Sequence, residues 1–233
     1  MNLPSNNTPP PCFRRGFTII ELLTVVMCIT VLMAISMPIA STLQNKAYRT
    51  QTKAQFSQWG TAMEMFRAEY GGYPEVGGPG SRSGNIPENI IATDKFAVAL
   101  TGRHADGTNN DLRGSTVTAK LFFGNTKLLS FYNLGIKDIP VPKDGEKLQL
   151  MDAFQNTEIA VLTDRNLDGF INGEDKNRYP PVRDQFEATY DPKGNGDIEV
   201  TGNGMRAGVI FYSAGAGSAH SAIVDSKSAV TSW

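Results

Sequence analysis

The sequence predicts an α+β fold in which one long amino-terminal helix precedes a small antiparallel sheet. Three observations carry this. An apolar run from Phe17 to Ala40 continues into residues 41–70, where Phe56, Trp59, Met63, Phe66 and Tyr70 recur at steps of three and four. Short segments rich in branched and aromatic residues follow only in the second half, at Glu158 to Thr163, Asp197 to Thr201 and Ala207 to Ser213. The stretches between them are rich in glycine, proline, asparagine and aspartate, with no internal repeat and no second core large enough for a separate domain.

Composition narrows the function classes. The 233 residues are 40% hydrophobic and 19% charged, within the globular range. Lys and Arg number 22 against 23 Asp and Glu, a formal net charge of −1, so no whole-molecule field attracts nucleic acid and none is expected as a partner. Two histidines, His104 and His220, and two distant cysteines, Cys12 and Cys28, give no material for a zinc cage, a disulfide framework or a Cys/His nucleophile pair. No catalytic residue is expected.

Taken in order, residues 1–16 are a polar leader whose only formal charges are Arg14 and Arg15, which favour a cytoplasmic leader. Residues 17–40 would extend about 36 Å as a helix, against a hydrocarbon core of roughly 30 Å, so the run is long enough to cross a lipid bilayer. It is too long for a signal-peptide core and no small-residue cleavage site follows it. Glu21 stands out: a carboxylate at bilayer depth costs on the order of 2–4 kcal/mol near a helix centre and less near the end. Pro38 removes a helical hydrogen bond and is expected to kink or open the span locally. Cys28 is expected as an inert apolar filler.

Residues 41–70 form the second half of the same helix, its apolar stripe expected to pack on the chain's own sheet, and Gly71, Gly72 and Pro74 end it. Residues 71–233 form the head. Gly71 to Asn89 is expected as a loop, Ile90 to Leu100 as a short helix capped by Thr93 or Asp94 with Phe96 and Leu100 inward, and His104 to Gly114 as a solvated loop. Asp191 to Ile198 is expected as a hairpin turn and Gly202 to Gly208 as a strand-to-strand turn.

Arg14-Arg15-Gly16-Phe17-Thr18-Ile19-Ile20-Glu21-Leu22-Leu23-Thr24-Val25-Val26 closely resembles the processing signal of the type IV pilin and type II secretion pseudopilin superfamily. The resemblance implies a pilin-like fold, cleavage by a prepilin peptidase between Gly16 and Phe17, and methylation of the new Phe17 amine. It also implies that Glu21 compensates the terminal ammonium of a neighbouring subunit, which turns a lone charge into a pair within an apolar bundle. Pro38 matches a proline often present at that distance. Glycine at position 16 suits a protease cleft because no side chain obstructs the extended backbone.

One chemical motif stands apart. Residues Asp164 to Asp175 (DRNLDGFINGED) follow the twelve-residue calcium-loop spacing, with oxygen-bearing side chains at positions 1, 3, 5, 9 and 12 and glycine at 6. Asp164, Asn166, Asp168, Asn172 and Asp175 are candidate ligands together with the Phe170 carbonyl; Gly169 permits the turn and Ile171 is expected to pin the loop to the core. The segment resembles a dockerin-type loop, whose shorter closing Asp replaces the usual Glu. A metal-free Asn/Asp/Gly turn is the alternative.

Together these features lead to an expected pseudopilin, anchored as a single-pass inner-membrane protein with a periplasmic head. Its expected partners are copies of itself and other pseudopilins in a helical filament, the prepilin peptidase, an inner-membrane assembly platform and the lipid bilayer. Its expected cofactor is structural calcium. The alternatives are a type IV pilus subunit, a calcium-stabilised surface adhesion or docking protein, and a membrane-anchored enzyme.

Overall fold

The computed structural model describes residues 16–77, 89–108, 124–142, 148–192, 196, 198–200, 202–217 and 224–225. The leader before Gly16, with Cys12, Arg14 and Arg15, lies outside them, as do 78–88, 109–123, Asp197, Thr201 and His220. The chain divides into two units, Met1–Gln44 and Asn45–Trp233.

Helix α1 runs Ile19–Tyr70, 52 residues, and continues through Pro38. Among the described residues no helix is long and apolar enough to cross a membrane. Within the first unit, the large apolar side chains from Phe17 to Met33 are exposed around the helix, and Cys28 is a free thiol exposed among them. At its other end α1 stops where the sequence places the stop: Gly71 takes φ +80° and donates its N–H to the Arg67 carbonyl at 2.8 Å.

The second unit is built around a two-faced ladder. Strand β1 (Ile159–Thr163) pairs antiparallel with β6 (Val209–Ser213) in the register Ile159↔Ser213 to Thr163↔Val209, and β6 pairs on with β7 (Val224–Asp225). Side chains alternate across the pleat. Ile159, Val161, Val209 and Phe211 face the α1 stripe of Phe56, Trp59, Met63 and Phe66, while Ala160, Leu162, Ile210 and Tyr212 face a second cluster with Ile171, Tyr179 and Val182. The stripe is therefore core: the Trp59 ring lies 4.9 Å from Phe96 and 5.7 Å from Phe211 in edge contacts.

Helix α2 is Thr93–Thr101, three residues later than expected, with Ala92 at the N-cap and no side-chain cap. The reason is competition for backbone partners. Ile91 donates to Ile159 and Val161 donates to the Asn89 carbonyl, so residues 89–91 complete the free edge of β1 instead of starting a helix. Neither expected cap serves, because Thr93 Oγ1 accepts from Leu150 N–H and Asp94 accepts from Ala105 N–H. Phe96 and Leu100 are buried as expected.

Four further strands are two residues long. β2 (Arg178–Tyr179) pairs with β5 (Ile198–Glu199), and β3 (Val182–Arg183) pairs with β4 (Thr189–Tyr190). The strands that flank this segment, β4 and β5, belong to separate ladders, and the hairpin turn expected at Asp191 to Ile198 falls partly outside the described residues. Residues 202–208 lie between β5 and β6, a strand-to-strand connection as expected, although the two strands are not paired with each other. Gly204, at φ +68°, lies so close to the Ile171 carbonyl that a Cβ would stand 2.0 Å from it. That approach requires glycine.

Candidate functional site

Two candidate sites lie in different units. In the first, Gly16, Phe17 and Thr18 precede the helix in irregular backbone. Thr18 donates both its N–H and its hydroxyl to Glu21 Oε2, each at 2.9 Å, and Glu21 N–H donates back to Thr18 Oγ1 at 3.3 Å. This is a reciprocal capping box, which satisfies amides that a helix start leaves without partners and places the carboxylate at the positive end of the helix dipole. Glu21 Oε1 accepts no hydrogen bond among the described residues. The structure thus gives Glu21 a partner in its own chain that the sequence reading omits. The signal was available as threonine three places before glutamate ahead of an apolar run. Pro38 lies within α1, far along the chain from this cluster.

The second site is the acidic loop, placed between β1 and β2 at the edge of the second hydrophobic cluster. Asp164 and Asp175 are buried, at 0% and 2% exposure. Asp164 accepts N–H bonds from Asp168 at 3.2 Å and Gly169 at 2.8 Å, one on each oxygen. Asp175 accepts from Arg165 and Asn166 on one oxygen and from Asn172 on the other, at 2.8, 2.9 and 3.1 Å. Thus the first and twelfth positions clasp the loop's own backbone from both ends. Asn166 Oδ1 takes the Asp168 N–H, Asp168 Oδ1 the Phe170 N–H and Asn172 Oδ1 the Glu174 N–H, a chain of Asx turns around the perimeter.

The anchoring follows from the sequence. Ile171 is fully buried and exchanges two backbone hydrogen bonds with Met205, at 2.8 and 2.9 Å. Gly169 takes φ +90°, the conformation a tight turn needs and a side chain opposes. Asn177, which the sequence reading passes over, closes the loop behind Asp175: its amide donates to the Thr163 carbonyl at 2.6 Å and accepts the Thr163 N–H at 3.2 Å. Among the described residues no three carboxylate, imidazole or thiol side chains gather into a group that could hold a metal ion. Cation binding here would draw on Asp164 and Asp175 together with neutral oxygens: the Asn166 and Asn172 amides and the Phe170 carbonyl. Each carboxylate oxygen that accepts an N–H retains lone pairs for a cation.

Comparison with known proteins adds one relative. The chain is similar to "Prepilin peptidase-dependent protein D" of Escherichia coli (strain K12), with 32% identity over 99 residues, 40% of this chain and 66% of that protein. The match spans just under two thirds of that relative's length. No protein-family model matches the chain, and no solved structure matches it at a significant level.

Proposed function

We propose that the chain is a pseudopilin-like structural subunit of a type II secretion system. The observation that carries the reading is the segment Arg14 to Val26, a basic pair, a glycine and an apolar run broken by the single acid Glu21. The relative's printed name, which refers to dependence on a prepilin peptidase, supports it.

In this reading a prepilin peptidase cuts between Gly16 and Phe17. A Cβ at Gly16 would meet nothing within 4 Å among the described residues, and in this reading the demand for glycine comes from the peptidase cleft. Residues 17–40 hold the subunit in the inner membrane, with the leader cytoplasmic and the head periplasmic. An inner-membrane platform then assembles it with copies of itself and other pseudopilins into a helical filament. Glu21 enters with Oε2 held by Thr18, and the neighbour's terminal ammonium meets Oε1. Pairing lowers the cost of a carboxylate in an apolar bundle and favours one axial register.

The acidic loop adds structural calcium, held by Asp164 and Asp175 with the Asn166 and Asn172 amides and the Phe170 carbonyl, while Asp168 braces the loop by accepting the Phe170 N–H. An affinity in the range of extracellular modules, about 10⁻⁴–10⁻³ M, is expected. A type IV pilus subunit would share the processing and the charge pair. A surface adhesion or docking protein draws its support from the loop alone, and recovery of a non-pilin protein by the chain would favour it.

Mass spectrometry of native material tests the main reading. The mature chain is expected to begin at a methylated Phe17, and material that keeps the first sixteen residues overturns it. Glu21→Ala is expected to be processed and to fail in assembly; normal filaments from that variant refute the charge pair.

A further inference from the structure

A cavity of about 270 Å³ opens on the second unit between the start of its helical segment, the 153–156 turn, the β3–β4 turn and the end of β6. Its lining carries one ionisable carboxylate, Asp184, and no lysine, arginine or histidine. Asp184 is already engaged: its Oδ1 accepts the N–H groups of Phe186 and Ala188 at 2.8 and 2.9 Å. An anion would find no counter-charge, and a cation would meet only an acid that holds its own turn.

What the lining does offer is neutral. Asn45, Gln155 and Gln185 are exposed, and their side chains make no hydrogen bond among the described residues. Asn156 shows the contrast, since it donates to Asp152 and the Gly215 carbonyl and accepts the Gln185 N–H. Three free amides supply both donors and acceptors around one opening. Aromatic surface completes the site. Tyr48 and Phe154 meet edge to face at 5.6 Å, and Phe186 stands at the rim, 80% exposed.

That ring is held out by a braced turn. Asp184 N–H donates to the Ala188 carbonyl at 3.0 Å, and Arg183 binds Glu187 at 2.9 Å while also pairing with Glu158. Gln155 and Glu187 both adopt left-handed backbone, φ +66° and +65°, unusual for residues with such side chains. Strained backbone of this kind persists only where the surroundings fix it.

We propose that this cavity binds a neutral saccharide, a single ring whose C–H face lies on Phe186 and whose hydroxyls reach Asn45, Gln155 and Gln185. A sugar is the neutral ligand that combines an apolar face with a rim of donors and acceptors, and the volume suits one ring rather than a longer segment. The assignment is independent of the pilin reading.

The test uses the full chain in phosphocholine micelles, free of sugar headgroups, with the methyl glycosides of glucose, galactose, mannose, N-acetylglucosamine and N-acetylgalactosamine as separate probes. Saturation-transfer NMR is expected to detect binding of at least one. Phe186→Ala is expected to weaken it about tenfold, with the melting temperature unchanged because the ring is exposed. Phe186→Tyr retains binding. The proposal falls if none of the glycosides binds, if binding is indifferent to Phe186→Ala, or if a uronic acid binds more tightly than its neutral parent.

Discussion

The two ends of helix α1 share a backbone and an apolar composition, yet they dispose of that apolar surface differently. From Ile19 to Met33 large apolar side chains point in every direction and are exposed; Phe56, Trp59, Met63 and Phe66 are gathered on one stripe and buried. A stripe can be covered by one sheet, whereas a uniformly apolar cylinder needs a solvent or neighbours on all sides. The proposed bilayer and filament supply that cover. The acids differ in parallel. Among the described residues Glu21 is held only by a residue three places away, while Asp138, besides its local donors Gly135 and Tyr132, is held across the fold by Gln55 and Trp59 of α1.

The largest expected effect tests the buried half. Trp59→Ala removes a ring packed on Phe56, Phe96 and Phe211 and a donor to Asp138, and is expected to cost about 3–5 kcal/mol in urea unfolding of the full chain in micelles. A cost below about 1 kcal/mol would mean that this stripe is not the core.

Next comes a buried acid of the second unit. Burial pushes the Asp152 carboxyl above its ordinary value of 3.8, with hydrogen bonds from Ser213, Asn156 and Phe154 acting against that shift. Between the ordinary and the raised value, the folded chain keeps a proton that the unfolded chain releases. Stability therefore falls as pH rises through that window and levels off above it. Asp152→Asn is expected to flatten this slope in pH-dependent unfolding. A slope that survives the substitution assigns it to another group.

Smaller still is the expected gain from calcium. At about ten times its dissociation constant, calcium would stabilise the head by about 1.4 kcal/mol. The rise in melting temperature should vanish in Asp164→Ala with Asp168→Ala. If both proteins respond alike to millimolar calcium, the loop is a hydrogen-bonded turn and no more.

Legibility in the sequence follows the same contrast. The α1 stripe, its Gly71 stop and the β1 and β6 segments were readable because each is set by local periodicity or a single conformational demand. Ile90 and Ile91 misled: their apolar character suits a helix or a strand, and the open edge of β1 decides. The two-residue strands β2, β3 and β4 leave too short a pattern to read, whereas β5 falls within the strand-like run Asp197 to Thr201; the pairing of all four depends on residues brought together only by the fold. At the acidic loop the spacing was legible, whereas the closure by Asn177 and the Met205 pairing were not, since both join distant segments. Thr18 is legible as a cap, since threonine stands three places before glutamate at the head of an apolar run.

The smallest expected effect is the sharpest test of the comparison. Val26→Ala removes two methyl groups from an exposed position of the first unit. If cover comes from outside the chain, no contact of the second unit is lost, and its urea midpoint should move by less than about 0.5 kcal/mol equivalent. The same loss within the buried stripe would leave a cavity and cost several times as much. Under the proposed reading, Val26→Ala instead weakens transfer into the bilayer and packing between subunits, where methylenes are worth about 0.8 kcal/mol each when buried. Filament yield should therefore fall while the head melts unchanged. A head destabilised by this substitution would mean that the first part of α1 is covered by its own chain.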